Sequence, residues 1–214
     1  MPSSQHTQIS KIMDCIITLN PKSVLDVGVG FGKYGVLCRE YLDLWDGREE
    51  YSQFLRRIDG IEAFADYITP LHKYVYDNIY TQDISLAADK LDFCYDLVLL
   101  IDVLEHLNKS DGELLLKKMS VKNKGILIST PKKVSSQKNA FHNVYETHRS
   151  QWTKEDILRL GQTHFLSDGK NFIAYVGKRE EVEKLKRRFL FNATKKIPMM
   201  QSVIRVCLRI SKRI

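Results

Sequence analysis

Residues 24–35 read VLDVGVGFGKYG, and no other stretch limits the possible folds as much. Val24, Leu25 and Val27 form a short apolar, β-branched run, glycine follows at positions 28, 30 and 32, and a helical pattern begins directly afterwards. This order describes a buried strand, a tight turn and a helix start. Glycine lets the backbone come close to a ligand, and a helix N-terminus presents unpaired N–H groups and the positive end of a dipole. A nucleotide-like ligand is the expectation. Two common phosphate motifs do not fit: the G-x-G-x-x-G fingerprint would need glycine where Lys33 stands, and the Walker loop would need Ser or Thr where Tyr34 follows Gly32-Lys33.

Further strand-like runs at 58–62, 76–81, 95–101, 124–130, 162–167 and 171–177 join the first at 23–27, with helical patterns near 7–19, 32–43, 64–73, 84–90 and 110–119. Strands alternating with helices imply right-handed crossovers and a mostly parallel sheet covered on both faces. The last two runs are separated only by Asp168-Gly169-Lys170, a hairpin signal, so one strand is expected to run antiparallel. The reading is an α/β fold: a seven-stranded, mostly parallel sheet with one antiparallel strand, helices on both faces and a C-terminal amphipathic helical tail. At 214 residues and 43% apolar, the chain can build one such domain with an appendage. The expected division is an N-terminal helix (1–21), the α/β domain (22–178) and the tail (179–214). Two polar insertions, 41–57 and 131–151, lengthen the connections, and loops of that length are usually functional or disordered.

Open α/β sheets bind ligands at the carboxyl ends of their strands. The residues at those ends are Gly28, Gly30 and Gly32 after the first strand, Glu62 after the second, Asp83 after the third, Ile101 and Asp102 after the fourth, and Thr130 and Pro131 after the fifth. An acid closing the second strand accepts hydrogen bonds from both hydroxyls of a ribose, as a nucleoside ligand demands.

Taken in order, the motifs VLDVGVGFG, DGIEA, TQDIS, YDLVLLIDVLEHL and KGILISTP resemble the class I S-adenosylmethionine-dependent methyltransferases, over about residues 22–178. The resemblance implies a Rossmann-like sheet finished by a hairpin, and S-adenosylmethionine as cofactor. It implies Asp26 and the glycines 28, 30 and 32 around the methionine portion, Glu62 at the ribose, Asp83 and Ile84 at the adenine, and the backbone near Ile101 at the amino group, with Asp102 also among the cofactor contacts. Glu62 lies 36 residues after Asp26, against roughly 20 from glycine loop to acid in the dinucleotide fold; the 41–57 insertion accounts for the difference.

In IDVLEHL, Asp102, Glu105 and His106 have i, i+3, i+4 spacing, which on a helix places them on one face at the mouth of the cleft. A second imidazole comes from YETHRSQWT, where His148 precedes a helix start at Trp152-Thr153. Such a set suits a general base or a divalent metal, and makes Glu105, His106 and His148 the catalytic candidates. D-x-x-E-H followed by S-T-P and a later histidine is similar to two subgroups, the small-RNA 3′-terminal 2′-O-methyltransferases and the ubiquinone-biosynthesis O-methyltransferases. In these an E-x-x-E-H cluster with a downstream histidine can hold Mg²⁺ or a similar ion, whereas the first acid here is the shorter Asp102. The expected reaction is O-methylation of a small-molecule, lipid-linked or glycan acceptor. The alternatives are a metal-dependent RNA 2′-O-methyltransferase and a non-catalytic S-adenosylmethionine-binding or membrane-interaction module. His142, Glu146 and Arg149 are candidates for acceptor selection. His6, His72 and His164 fall in no motif and read as ordinary surface or core residues.

The formal charge of +7 belongs to the tail: residues 179–214 hold 11 Lys/Arg against 3 Asp/Glu. From Ile197 onward a helical projection gathers Arg205, Arg209, Lys212 and Arg213 on one arc and Met199, Val203, Ile210 and Ile214 on the other. A basic amphipathic helix of this kind fits an anionic membrane surface better than nucleic acid, because RNA-stacking aromatics are lacking there. The four cysteines form no C-x-x-C pair, and the sequence shows no signal-peptide pattern or membrane-spanning run. A cytoplasmic setting, peripheral at the membrane through the tail, is the expectation.

Overall fold

The computed structural model describes residues 6–44, 49–166 and 169–195. Seven strands, β1 (Ser23–Val27), β2 (Arg57–Glu62), β3 (Asn78–Thr81), β4 (Leu97–Ile101), β5 (Gly125–Pro131), β6 (Thr163–Leu166) and β7 (Asn171–Gly177), form one sheet in the order β3-β2-β1-β4-β5-β7-β6. The first five strands pair in parallel, and β7 runs antiparallel to both β5 and β6. This is the expected sheet. Its strand order reverses between β1 and β4, which opens a cleft at their carboxyl ends.

The helices are α1 (Ile9–Leu19), α2 (Lys33–Cys38), α3 (Pro70–Val75), α4 (Ile84–Lys90), α5 (Lys109–Lys122), α6 (Lys154–Leu158) and α7 (Arg179–Lys195). Two expected helices are altered. The one near 32–43 loosens into a π turn over Arg39–Asp43. The one near 64–73 splits into a 3-10 turn, Ala65–Tyr67, and α3, because Pro70 is suited to a first helical turn and Thr69 caps the helix that begins there.

β1 and β4 are buried along their whole length, and their alternate side chains feed two cores. Val24, Leu97 and Leu99 meet Ile12 and Ile16 of α1, Cys38 of α2, and Val182 and Leu185 of α7. Leu25, Val98 and Leu100 meet Ala87 of α4, Leu115 and Leu116 of α5, and Ile157 of α6. The packing therefore carries α1 and α7 into the same folded unit as the sheet. The amphipathic segment read from Ile197 lies outside the described residues. Among the described residues no helix is long and apolar enough to cross a membrane.

The 41–57 insertion is closed by buried charge. Arg39 donates through Nη1 to Asp43 (3.0 Å) and to the Arg56 carbonyl (2.6 Å), through Nε to the Val75 carbonyl (2.7 Å) and through Nη2 to Asp77 (2.9 Å). Asp43, fully buried, also accepts from the N–H groups of Leu55 and Arg56. The Tyr76 ring occupies the space that a Cβ on Gly35 would need, and Val29 occupies that of a Cβ on Gly60.

Candidate active site

The glycine loop turns away from β1 because Gly28 and Gly30 take φ of 70° and 52°, in the left-handed region that other side chains resist. Its path is held from two sides. The N–H groups of Gly28 and Val29 donate to the Ile61 carbonyl of β2 (2.8 and 3.2 Å). His72, on α3 and buried, meets the Gly30 carbonyl through Nε2 at 2.8 Å. The Thr69 N–H donates to His72 Nδ1 (3.1 Å), so Nε2 carries the proton and is the donor to Gly30. Tyr76, stacked beside His72, donates its hydroxyl to Asp26 (2.7 Å). Sequence reading left His72 as an ordinary residue. The signal that could have found it is the Thr69-Pro70 helix start with histidine at the third helical position, where a side chain reaches back to the cap.

Glu62, at the tip of β2, is 6% exposed and spans the cleft floor: Oε2 accepts from Gly30 N–H (3.0 Å) and Oε1 from Phe64 N–H (2.9 Å). Asp83 caps α4 by accepting from Ser85 N–H (2.8 Å). One cavity is lined by Asp26, Gly28, Gly30, Glu62, Asp83, Ile84, Ile101 and Asp102, which are all the expected cofactor contacts except Gly32. Gly32 lies behind the loop, its N–H bonded to the Val29 carbonyl and its backbone forming the cap of α2.

The face expected from Asp102, Glu105 and His106 does not form, because the segment is not an α-helix. Asp102 sits at φ 55° and only Leu104–His106 coil, as a 3-10 turn. The Asp102 carboxylate accepts from Gln8 Nε2 (2.7 Å), Ser129 Oγ (2.8 Å) and Asn171 Nδ2 (3.1 Å), three side chains from distant parts of the chain. Gln8, fully buried, is a site residue that sequence reading missed, and nothing local signals it. Glu105 turns inward, 2% exposed, and accepts from the Thr130 hydroxyl (3.1 Å). It does not line the cavity, whereas His106 does.

The 131–151 insertion folds over the cleft and places Asn143, Tyr145 and Glu146 in its wall. It is bound to the 104–106 turn by Arg149 and Ser150 N–H groups donating to the Glu105 carbonyl (2.7 and 3.1 Å). The Tyr67 hydroxyl donates to Glu146 (3.2 Å). His148 lies beside His106, ring centroids 4.9 Å apart, outside the cavity lining. Each imidazole faces a backbone carbonyl through Nδ1, His106 that of Thr147 (3.3 Å) and His148 that of Ser135 (2.6 Å), so both carry their proton there. The free lone pair is then on Nε2. Among the described residues no group of three or more His, Cys, Asp or Glu side chains is arranged to hold a metal ion. Asp102, Glu105, His106 and His148 thus do not fit the ligand set of the metal-dependent subgroup.

Burial dominates the acid chemistry of the site. It pushes the Asp26 carboxyl up to about 7, against the Tyr76 hydrogen bond that favours its anion, and the Glu105 carboxyl up to about 8, with Asp102 adding repulsion. Burial likewise raises Glu62 and Asp102, and it lowers His106, helped by His148. Asp26 and Glu105 therefore hold protons in the folded state at pH values where the unfolded chain, at about 4, has released them. Their effect is neutral below about pH 4, destabilises increasingly as pH rises toward 7 to 8, and is constant above. Thermal denaturation of the ligand-free protein should accordingly show Tm falling between pH 5.5 and 8.5, with a smaller fall in Asp26→Asn and Glu105→Gln; a Tm that rises across this range contradicts the assignment.

No family model and no curated protein sequence matches the chain. Solved structures do. An O-methyltransferase family protein from Burkholderia thailandensis is similar over 79% of this chain at 12% identity and a TM-score of 0.53, and the match spans 56% of that protein's length. The N-terminal domain of EvdMO1 with S-adenosylhomocysteine bound is similar over 82% of this chain and 83% of its own, at 14% identity and a TM-score of 0.56. Magnesium protoporphyrin IX methyltransferase from Synechocystis PCC 6803, also with S-adenosylhomocysteine bound, is similar over 81% and 84%, at 14% identity and a TM-score of 0.53. The shared feature is the fold: the chain has the Rossmann-like sheet of the S-adenosylmethionine-dependent methyltransferases.

Proposed function

We propose that the protein is an S-adenosylmethionine-dependent methyltransferase that acts on a hydroxyl of a small-molecule, lipid-linked or glycan acceptor. The observation that carries this reading is Glu62, whose carboxylate joins the β2 tip to the glycine loop while lining the cleft. A nucleoside at that place has acceptors for its ribose hydroxyls, the buried Ile84 against its base, and Asp26 and Asp102 toward a cationic amino acid end. The acidic side chains Glu62, Asp83, Asp102 and Glu146 outnumber Lys33 in the wall and favour a cationic ligand over a phosphate. Bound S-adenosylmethionine supplies a methyl group on a positively charged sulfur. This chain's own residues then orient the acceptor and take its proton.

His106 is the base in this reading. Its Nδ1 proton is committed to the Thr147 carbonyl, and Nε2 is left to receive the acceptor's hydroxyl proton. Glu105 and His148 become positioning residues: Glu105 anchors the lid loop through its carbonyl, and His148 flanks the base. Calorimetry should register S-adenosylhomocysteine binding to the wild-type protein. His106→Gln should bind it unchanged while methyl transfer falls by about a hundredfold or more. Absence of binding at saturating ligand counts against the function as a whole, and full transfer by the variant counts against the base. The metal-dependent RNA reading would instead require transfer to RNA that is lost with chelator and regained with Mg²⁺ or Mn²⁺.

A further inference from the structure

Two loops frame the mouth of the cleft, and both hold large apolar side chains in water. Phe31, set among the glycines, is 72% exposed, and from the 131–151 loop Phe141, Val144 and Tyr145 are 59%, 53% and 41% exposed. Phe31 and Tyr145 line the same cavity, so the two loops meet there. The longer loop is tied to itself: Gln137 Nε2 donates to the Glu146 carbonyl (2.7 Å), His148 N–H to the Gln137 carbonyl (3.1 Å) and Val134 N–H to Gln151 Oε1 (2.8 Å). Within that frame Phe141 and His142 take φ of 57° and 60°, a conformation that costs free energy for most side chains other than glycine. A braced loop that keeps a strained backbone and still displays Phe141 and Val144 to water points to a partner that covers them.

The charge on the same loop says what kind. Lys132, Lys133, Lys138 and Arg149 are exposed, while the loop's one carboxylate, Glu146, is buried and faces the cleft. We propose that the mouth of the cleft is a docking surface for an anionic lipid bilayer, which presents a hydroxyl-bearing lipid or lipid-linked acceptor to His106. Apolar tips enter the interface while lysines hold the headgroup phosphates. RNA also offers phosphates, but its backbone would have to follow the reacting nucleotide under the loop that holds the Glu146 carboxylate in the cleft wall. In a bilayer the phosphates stay at the lysine rim and an uncharged hydroxyl goes in. The acceptor's identity rests on the methyl-transfer reading, whereas the docking surface does not.

Flotation of the full chain with phosphatidylcholine vesicles, with and without phosphatidylglycerol, tests this. Association with the anionic vesicles is expected, weakened about tenfold or more by Lys133→Glu with Lys138→Glu and separately by Phe141→Ser with Val144→Ser. Both pairs lie outside the cavity lining and should keep wild-type affinity for S-adenosylhomocysteine and wild-type Tm. The proposal is overturned if wild-type protein does not float, or if it binds a single-stranded RNA more tightly than the vesicles. It is equally overturned if both loop variants float as wild type does, which assigns membrane binding to the basic tail. Loss of flotation with intact S-adenosylhomocysteine binding removes the docking surface and leaves the methyl-transfer reading standing. The reverse result removes that reading alone.

Discussion

Glu62→Ala is expected to weaken S-adenosylhomocysteine binding by about two orders of magnitude or more. The side chain does two jobs at once: its oxygens accept from the Gly30 and Phe64 N–H groups, and they remain the acceptors nearest a ribose at the β2 tip. A hydrogen bond to a charged group contributes about 1.5–3 kcal/mol, and about 1.4 kcal/mol is a tenfold change in affinity. Losing two such bonds to a ligand already exceeds a hundredfold, before any loosening of the glycine loop. Glu62→Gln should fall nearly as far, since its amide NH₂ must face one of two N–H donors. Calorimetric titration reads both. Affinity within threefold of wild type in Glu62→Ala would mean that the ligand sits elsewhere.

Arg39→Met should cost about 3–5 kcal/mol of stability, the usual penalty for removing one partner of a buried ion pair. For a chain of this size that is a fall in Tm of about 10 °C or more. The loss is large because Asp43 has no exposure and keeps only two backbone N–H groups once the guanidinium is gone. The carbonyls of Val75 and Arg56 lose a donor as well. Arg39→Lys should rescue little, because the bonds leave from Nε, Nη1 and Nη2 of a planar fork that an ammonium cannot copy. Chemical denaturation measures both variants. A midpoint unchanged in Arg39→Met would show that this network does not hold the insertion.

What the sequence made legible was local and periodic. β1 was readable to the residue because an apolar run ending in alternate glycines has few other folds, and the acids at strand tips followed from the strands. What it hid depends on distant partners. Asp102 leaves helical geometry because Gln8, Ser129 and Asn171 hold it, and the spacing D-x-x-E-H carries no trace of a glutamine 94 residues away. The two insertions are polar and without period, so the closure of one by Arg39 and the folding of the other onto Glu105 were unreadable. His72 was hidden for a related reason: its role lies in the Gly30 carbonyl, 42 residues back.

The Tyr76 ring under Gly35 restricts the order in which this lineage can change. A methyl group cannot be added at Gly35 until the tyrosine shrinks, yet shrinking it strips Asp26 of its hydroxyl donor and opens a hole beneath α2. Each single step is harmful although a joint replacement need not be, so drift should leave Gly35, Tyr76 and Asp26 unchanged long after the surface has diverged.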